Sequence, residues 1–153
     1  MSRVQLALNV SNLDDAIAFY SRLFNTEPAK VRRGYANFAV LEPPLKLVLI
    51  EGAEGGTLNH LGVEVETADE VASTTTRLHG EGLTTATEDN VACCYAVQDK
   101  VWVDDPDGAP WEVYTVLSDV EMPNGQLRTV DPEAGAACCA TASGEVDTAA
   151  QCC

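Results

Sequence analysis

Six cysteines stand in three adjacent pairs, Cys93-Cys94, Cys138-Cys139 and Cys152-Cys153, and none is left over. A bridge between neighbours closes a very small ring and constrains almost nothing of the unfolded chain, so these pairs are poor structural staples. Their spacing is not the C-x-x-C of a zinc knuckle or a thioredoxin-like centre. Two adjacent thiolates do suit a soft, thiophilic atom such as trivalent arsenic, mercury or cadmium. The competing reading is incidental or merely reactive thiols. One isolated pair would favour that reading, whereas three pairs with no odd cysteine favour soft-metal or metalloid chemistry.

Gln5, His60 and Glu112 form a second set, because an imidazole, a carboxylate and an amide oxygen can together hold a divalent ion. They come to notice through an internal repeat. Gln5-Leu6-Ala7-Leu8-Asn9-Val10 followed by Ser11–Ala16 aligns without a gap with His60-Leu61-Gly62-Val63-Glu64-Val65 followed by Glu66–Val71, 55 residues on. Each copy opens as a period-2 strand and enters a helix. In the first strand Leu6, Leu8 and Val10 share the face suited to packing under a helix, and Gln5, Ala7 and Asn9 share the other. In the second, Leu61, Val63 and Val65 face the core, while His60, Gly62, Glu64 and Glu66 face away. In a late strand Trp111 and Val113 alternate with Glu112 and Tyr114, so all three candidates lie on non-core faces.

The helices carry their own start signals. The first has capping candidates Ser11 and Asn12, acids Asp14 and Asp15, and an apolar stripe at Leu13, Ile17, Tyr20 and Phe24. The second repeats the plan with Thr67, Asp69 and Glu70, with Val71, Ala72, Thr75 and Leu78 inward, and stops at Gly80 and Gly82. Short strand-like runs follow each helix, at about 28–33, 35–41 and 45–51, then at about 83–88, 97–104 and 110–117, with Asp107-Gly108 marking the last hairpin turn. The expected fold class is α+β, with two tandem βαβββ modules at about 1–52 and 57–117. The polar stretch Thr87–Ala92 is left as a loop that swings the Cys93-Cys94 pair.

Of the 153 residues, 46% are apolar and 22% charged, and nine Lys and Arg against 24 Asp and Glu give a net charge of −15. That balance argues against a nucleic-acid backbone or an anionic membrane surface as partner. No apolar run is long enough to span a membrane and no secretory signal pattern opens the chain, so a cytoplasmic protein with reduced thiols is expected. All nine aromatic residues lie at or before Tyr114, and the last twenty residues hold seven Ala and four Cys with Val146 the only larger aliphatic. Such a segment cannot bury enough apolar surface to offset its conformational entropy. Residues 118–153 are therefore expected to form a flexible, acidic, Ala- and Cys-rich tail after a folded domain at 1–117.

Over residues 1–117 the chain resembles the vicinal oxygen chelate superfamily of glyoxalases, bleomycin-resistance proteins and extradiol dioxygenases. Gln5 opening module one, His60 opening module two, and Glu112 within Asp105-Pro106-Asp107-Gly108-Ala109-Pro110-Trp111-Glu112 carry the likeness. The resemblance implies a metal held by Gln5, His60 and Glu112 in a sheet curled around a cleft. Lys46 is read as the pseudo-equivalent of Glu112, and a cation cannot supply the fourth ligand of glyoxalase-like members. Within the superfamily, Cys93-Cys94 and the Cys-rich tail resemble the bacterial C–As lyases. That likeness implies Fe(II) as cofactor, O2 as co-substrate, and Cys93 and Cys94 binding the arsenic of a trivalent organoarsenical such as methylarsonous acid, to give arsenite. Tyr95 and Lys100 flank the thiols and could line the pocket, although packing and solvation explain them equally well. The tail pairs Cys138-Cys139 and Cys152-Cys153 could capture arsenic or have no role. Two further readings stay open: a dioxygenase or isomerase of the same fold acting on an organic substrate, and a non-catalytic protein that sequesters arsenic or cadmium, or binds a drug. Two modules in one chain allow a functional monomer, and module exchange between chains would give a homodimer.

Overall fold

The computed structural model describes residues 2–93 and 95–119. Cys94 and residues 120–153 of the expected tail, with its four cysteines, lie outside the described residues, while Ser118 and Asp119 extend the last strand. Module one runs β1 (Arg3–Val10), α1 (Leu13–Phe24), β2 (Lys30–Arg32), β3 (Tyr35–Val40) and β4 (Leu45–Glu51). Module two repeats it as β5 (Thr57–Glu64), α2 (Ala68–Gly80), β6 (Thr85–Cys93), β7 (Ala96–Asp104) and β8 (Pro110–Asp119). The eight strands form one curled mixed sheet in the order β2-β3-β4-β1-β5-β8-β7-β6, the architecture that the resemblance implies. The seam between modules is the antiparallel pair β1–β5, with Gln5 opposite Gly62 and Ala7 opposite His60. Within each module the first strand runs parallel to the last, β1 beside β4 and β5 beside β8. The 55-residue repeat is thus the two halves of one sheet.

Local chemistry starts both helices where the sequence places them. Asn12, rather than Ser11, caps α1 by accepting from the Asp15 amide at 2.9 Å, and Asn25 ends it in the left-handed region. Thr67 and Glu70 form a reciprocal capping box at the start of α2. α1 lays Leu13, Ala16, Ile17, Tyr20 and Phe24 over Leu6, Leu8, Val10, Phe38, Leu47 and Leu49. α2 brings Val71 and Leu78 onto Val65, Val101, Val103 and Val113. No helix among the described residues is long and apolar enough to cross a membrane.

The opposite sheet face is polar yet more deeply buried. Trp111 and Val113, on the helix side, are half-buried, whereas Glu112 is 3% and Tyr114 0% exposed. Curling encloses that face, and module two reaches across it: Tyr95 packs into one cluster with Ala7, Tyr35, Val48 and Ile50 of module one.

Two expectations are corrected. Thr87–Ala92 is not a loop but most of β6, paired along β7 from Thr85–Val103 to Cys93–Ala96 with a bulge between Glu88 and Val91. Acidic residues sit well there, because β6 is an edge strand whose outer side meets solvent. The second concerns Lys46. The module repeat carries Ala7 onto Gly62, and Val48 is the partner of Ala7 as Glu112 is of Gly62. Val48, not Lys46, is therefore the counterpart of Glu112, and module one offers an apolar side chain at that place.

Candidate metal centre

β1, β5 and β8 each carry one candidate onto the buried face, and the three side chains meet. Gln5 Nε2 lies 2.9 Å from His60 Nε2 and 2.6 Å from Glu112 Oε1, and His60 Nε2 lies 3.3 Å from Glu112 Oε1. All three residues are at most 6% exposed. Ligands about 2.1 Å from a small divalent ion in octahedral geometry stand about 3 Å apart along each cis edge, so this triangle has the dimensions of one octahedral face. A half-turn of the Gln5 amide would present its oxygen to that face. The donor set thus fits a divalent ion bound by three protein atoms with other positions open. Among the described residues no three His, Cys, Asp or Glu side chains converge; the amide is what completes the set.

The backbone makes room for this meeting. Gly62 sits between the partners, and a Cβ there would stand 3.1 Å from Glu112 Cγ and 3.3 Å from Gln5 Cβ and Nε2. At the entry to β8, Asp105 Oδ1 accepts from the Asp107 and Ala109 amides at 2.9 and 2.8 Å, and Gly108 adopts a φ of +86°. The Asp-Pro-Asp-Gly run is thus a side-chain-locked turn that aims Glu112 inward.

Charges around the trio are paired across the interior. Lys100, 2% exposed, donates to Glu112 Oε2 at 2.9 Å, which leaves Oε1 for the triangle. Burial pushes the Glu112 carboxyl up, but the Lys100 ammonium and the His60 contact outweigh it and hold the pKa at about 2. Tyr114 donates to Gln5 Oε1 at 2.5 Å and approaches Glu64 Oε2 at 3.3 Å. Burial raises its pKa far above the phenol range, so its proton stays in place. Glu64 also meets Arg3 at 2.9 Å and Lys46 at 3.4 Å. Burial lowers the pKa of Lys46 more than Glu64 restores it. A cavity of about 260 Å³ opens beside this network, with Arg3, Lys30, Lys46, Glu64 and Gln98 in its wall.

The remaining predicted residues divide. Lys100 lies at the trio, as a partner of Glu112. Cys93, half-buried, ends β6 opposite Ala96, itself in the cavity wall. Tyr95 packs with Ala7, Tyr35, Val48 and Ile50 of module one, its ring 5.4 Å from that of Tyr35 and its hydroxyl donating to the Arg33 carbonyl at 3.3 Å. Its carbonyl accepts from Lys30, which also pairs with Asp119.

Sequence reasoning missed Asn59, which is 3% exposed and places Oδ1 2.6 Å from His60 Nδ1. Strict alternation puts neighbours on opposite faces. The β1–β5 register, however, slips from Ala7–His60 to Leu8–Leu58, so Asn59 is a bulge residue and shares the interior with His60. The signal available in the sequence was the polar run Asn59-His60 at a strand that otherwise alternates.

The chain belongs to the glyoxalase/bleomycin resistance protein/dioxygenase superfamily, whose model matches residues 3–113. It is 62% identical over 123 residues to a protein of Thermomonospora curvata named trivalent organoarsenical cleaving enzyme, covering 79% of this chain and 82% of that one. It is also 58% identical over 142 residues to the cadmium-induced protein CadI of Mycobacterium bovis, covering 91% and 93%. Among solved structures, an extradiol ring-cleaving dioxygenase from B. fuscum superposes with a TM-score of 0.59 at 21% identity, over 78% of this chain and 34% of that one, which is a likeness of fold.

Proposed function

We propose that this protein is a non-haem Fe(II)-dependent dioxygenase that cleaves the carbon–arsenic bond of trivalent organoarsenicals, methylarsonous acid among them, in the cytoplasm. The observation that carries the reading is the buried triangle of Gln5, His60 and Glu112, in a sheet whose last hairpin carries Cys93 at the end of β6. The 62% identity to the Thermomonospora protein supplies the substrate class. Gln5, His60 and Glu112 would hold the iron, which when bound supplies the capacity to react with O2. All three come from one chain, so a monomer suffices. Cys93 and Cys94 exchange with the hydroxyls on arsenic and hold the substrate by its soft atom, leaving the carbon–arsenic bond free. Tethering of this kind can supply up to about 7–11 kcal/mol when the geometry is right. Methylarsonous acid plus one O2 gives arsenous acid plus formaldehyde, and atoms and electrons balance with no external reductant. Lys100 keeps Glu112 ionised and confines one of its oxygens, and the enclosed face excludes bulk water.

The test is arsenic speciation after anaerobic loading with Fe(II) and methylarsonous acid, with and without admitted O2. Arsenite that appears only with both supports the reading. The cadmium-induced relative favours a second reading, thiol-based sequestration of cadmium or arsenic. Sequestration would return methylarsonous acid intact. It would also survive His60→Ala, which should abolish turnover in the enzyme.

A further inference from the structure

One chain of hydrogen bonds runs from the trio to the segment joining the modules, and every link has a fixed direction. The Glu54 backbone carbonyl can only accept, so the Thr57 hydroxyl donates to it, at 2.8 Å. Thr57 Oγ1 then receives Asn9 Nδ2 at 2.9 Å. That fixes the Asn9 amide with Oδ1 toward Asn59 Nδ2, also 2.9 Å away. Asn59 is fixed in turn with Oδ1 against His60 Nδ1 at 2.6 Å. The ring must therefore carry its hydrogen on Nδ1, leaving Nε2 bare. On the far side of the ring a donor, Gln5 Nε2, stands 2.9 Å from His60 Nε2. It is nearer than the acceptor there, Glu112 Oε1 at 3.3 Å, which would draw the hydrogen to Nε2 and against which the relay acts.

We infer that Thr57, Asn9 and Asn59 are positioning residues that set the tautomer of His60, relaying the polarity of one linker carbonyl through four hydrogen bonds to the nitrogen that would hold the metal. The free imidazole has two neutral tautomers, and only one offers a lone pair at Nε2. An amide facing Nδ1 does not by itself choose between them, since it can turn over and present its NH2 group. The chain removes that freedom: turning Asn59 would set NH2 against NH2 at Asn9, and turning Asn9 would set its oxygen against the hydroxyl lone pairs of Thr57. The bulge at Asn59 brings two consecutive side chains to one face so that the last link can form. The inference rests on His60 as a ligand only for its consequence in metal binding; the tautomer itself belongs to the metal-free protein.

The experiment is 15N NMR of the histidine ring nitrogens in the metal-free full chain, above the ordinary imidazole range of pH, together with Zn(II) affinity by chelator competition. In the wild type, His60 should show a protonated Nδ1 and a bare Nε2. Asn59→Leu should move the hydrogen toward Nε2 and weaken Zn(II) binding about 10–100-fold, the usual effect of losing the partner of a metal-bound histidine. Asn9→Leu and Thr57→Val, which do not touch the ring, should give a mixture of tautomers and a smaller loss. Thr57 is exposed, so its variant keeps the fold if Asn59→Leu does not. Asn9→Asp should restore the wild-type pattern, because a carboxylate still accepts from Asn59. A wild-type His60 with its hydrogen on Nε2 would overturn the inference, and so would Asn9→Leu and Thr57→Val spectra identical to wild type. If the tautomers behave as stated while His60→Ala binds Zn(II) undiminished, the relay stands and the metal reading falls.

Discussion

Gly62 and Tyr114 govern the trio without belonging to it. A methyl group at Gly62 would stand 3.1 Å from Glu112 Cγ and 3.3 Å from two atoms of Gln5, and both partners are too buried to yield freely. Gly62→Ala should therefore separate Gln5 from Glu112 and cost about 1–3 kcal/mol of stability from overpacking. Metal affinity should fall with it, as read by Zn(II) competition; unchanged affinity would mean the triangle tolerates being opened. Tyr114→Phe removes the donor to Gln5 Oε1 in a fully buried setting, and the orphaned carbonyl should cost about 1–3 kcal/mol in denaturant unfolding. At this scale the sequence was readable where a repeat doubled the signal. Gln5 and His60 mark each other across 55 residues, and Glu112 follows a turn motif. Asn59 was hidden because a bulge breaks the alternation from which facing is read. Lys100 was named only as a neighbour of the thiols, since nothing in the sequence of a lysine betrays its burial against Glu112.

Elements fix where these side chains can go. The turn before β8 depends on one carboxylate, since Asp105 Oδ1 satisfies two backbone amides. Asp105→Ala should cost about 0.5–2 kcal/mol, by analogy with the loss of a helix cap, and should weaken metal binding by loosening the entry of Glu112. Asp105→Asn keeps an acceptor and should recover most of both. Equal metal affinity in the two variants would show that β5 and β7 hold β8 in place without the turn. Both helix starts were legible, at Thr67 for α2 and to within one residue for α1, because amphipathic spacing and capping chemistry agreed. β6 was not. Its Glu88-Asp89-Asn90 run reads as a loop, and only pairing with β7 at the sheet edge makes it a strand. The counterpart of Glu112 was missed for a related reason: two-residue slips preserve facing, so Lys46 and Val48 look alike to a period-2 argument. Only the ladder distinguishes them.

At the scale of the whole molecule, a strongly acidic protein places three of its nine cations, Arg3, Lys46 and Lys100, against carboxylates on the enclosed face. Arg3 and Lys46 of module one converge on Glu64 of module two, so this cluster ties the two halves across the seam. Burial pushes the Glu64 carboxyl up, yet the Arg3 hydrogen bond and the nearby Lys46 charge outweigh it and hold its pKa below the ordinary 4.5. A carboxyl depressed in the folded state stabilises fully above its unfolded value and ceases to do so as the pH falls through its folded value. The seam should therefore weaken on acidification below about pH 4.5. Acidification also relieves the repulsion of a chain carrying a net charge of −15, which acts in the opposite sense. Wild type alone cannot separate the two, but a variant can. Arg3→Gln removes the foremost depressing partner, so burial should lift the Glu64 pKa and the acid loss of stability should begin at higher pH than in wild type. Denaturant midpoints of the metal-free proteins from pH 7 downward would show the two curves parting, with Arg3→Gln falling first. Curves that keep a constant offset at every pH would mean that Arg3 contributes packing alone. The seam would then rest on the β1–β5 ladder and on Tyr95, which seats the module-two hairpin in the apolar wall of module one.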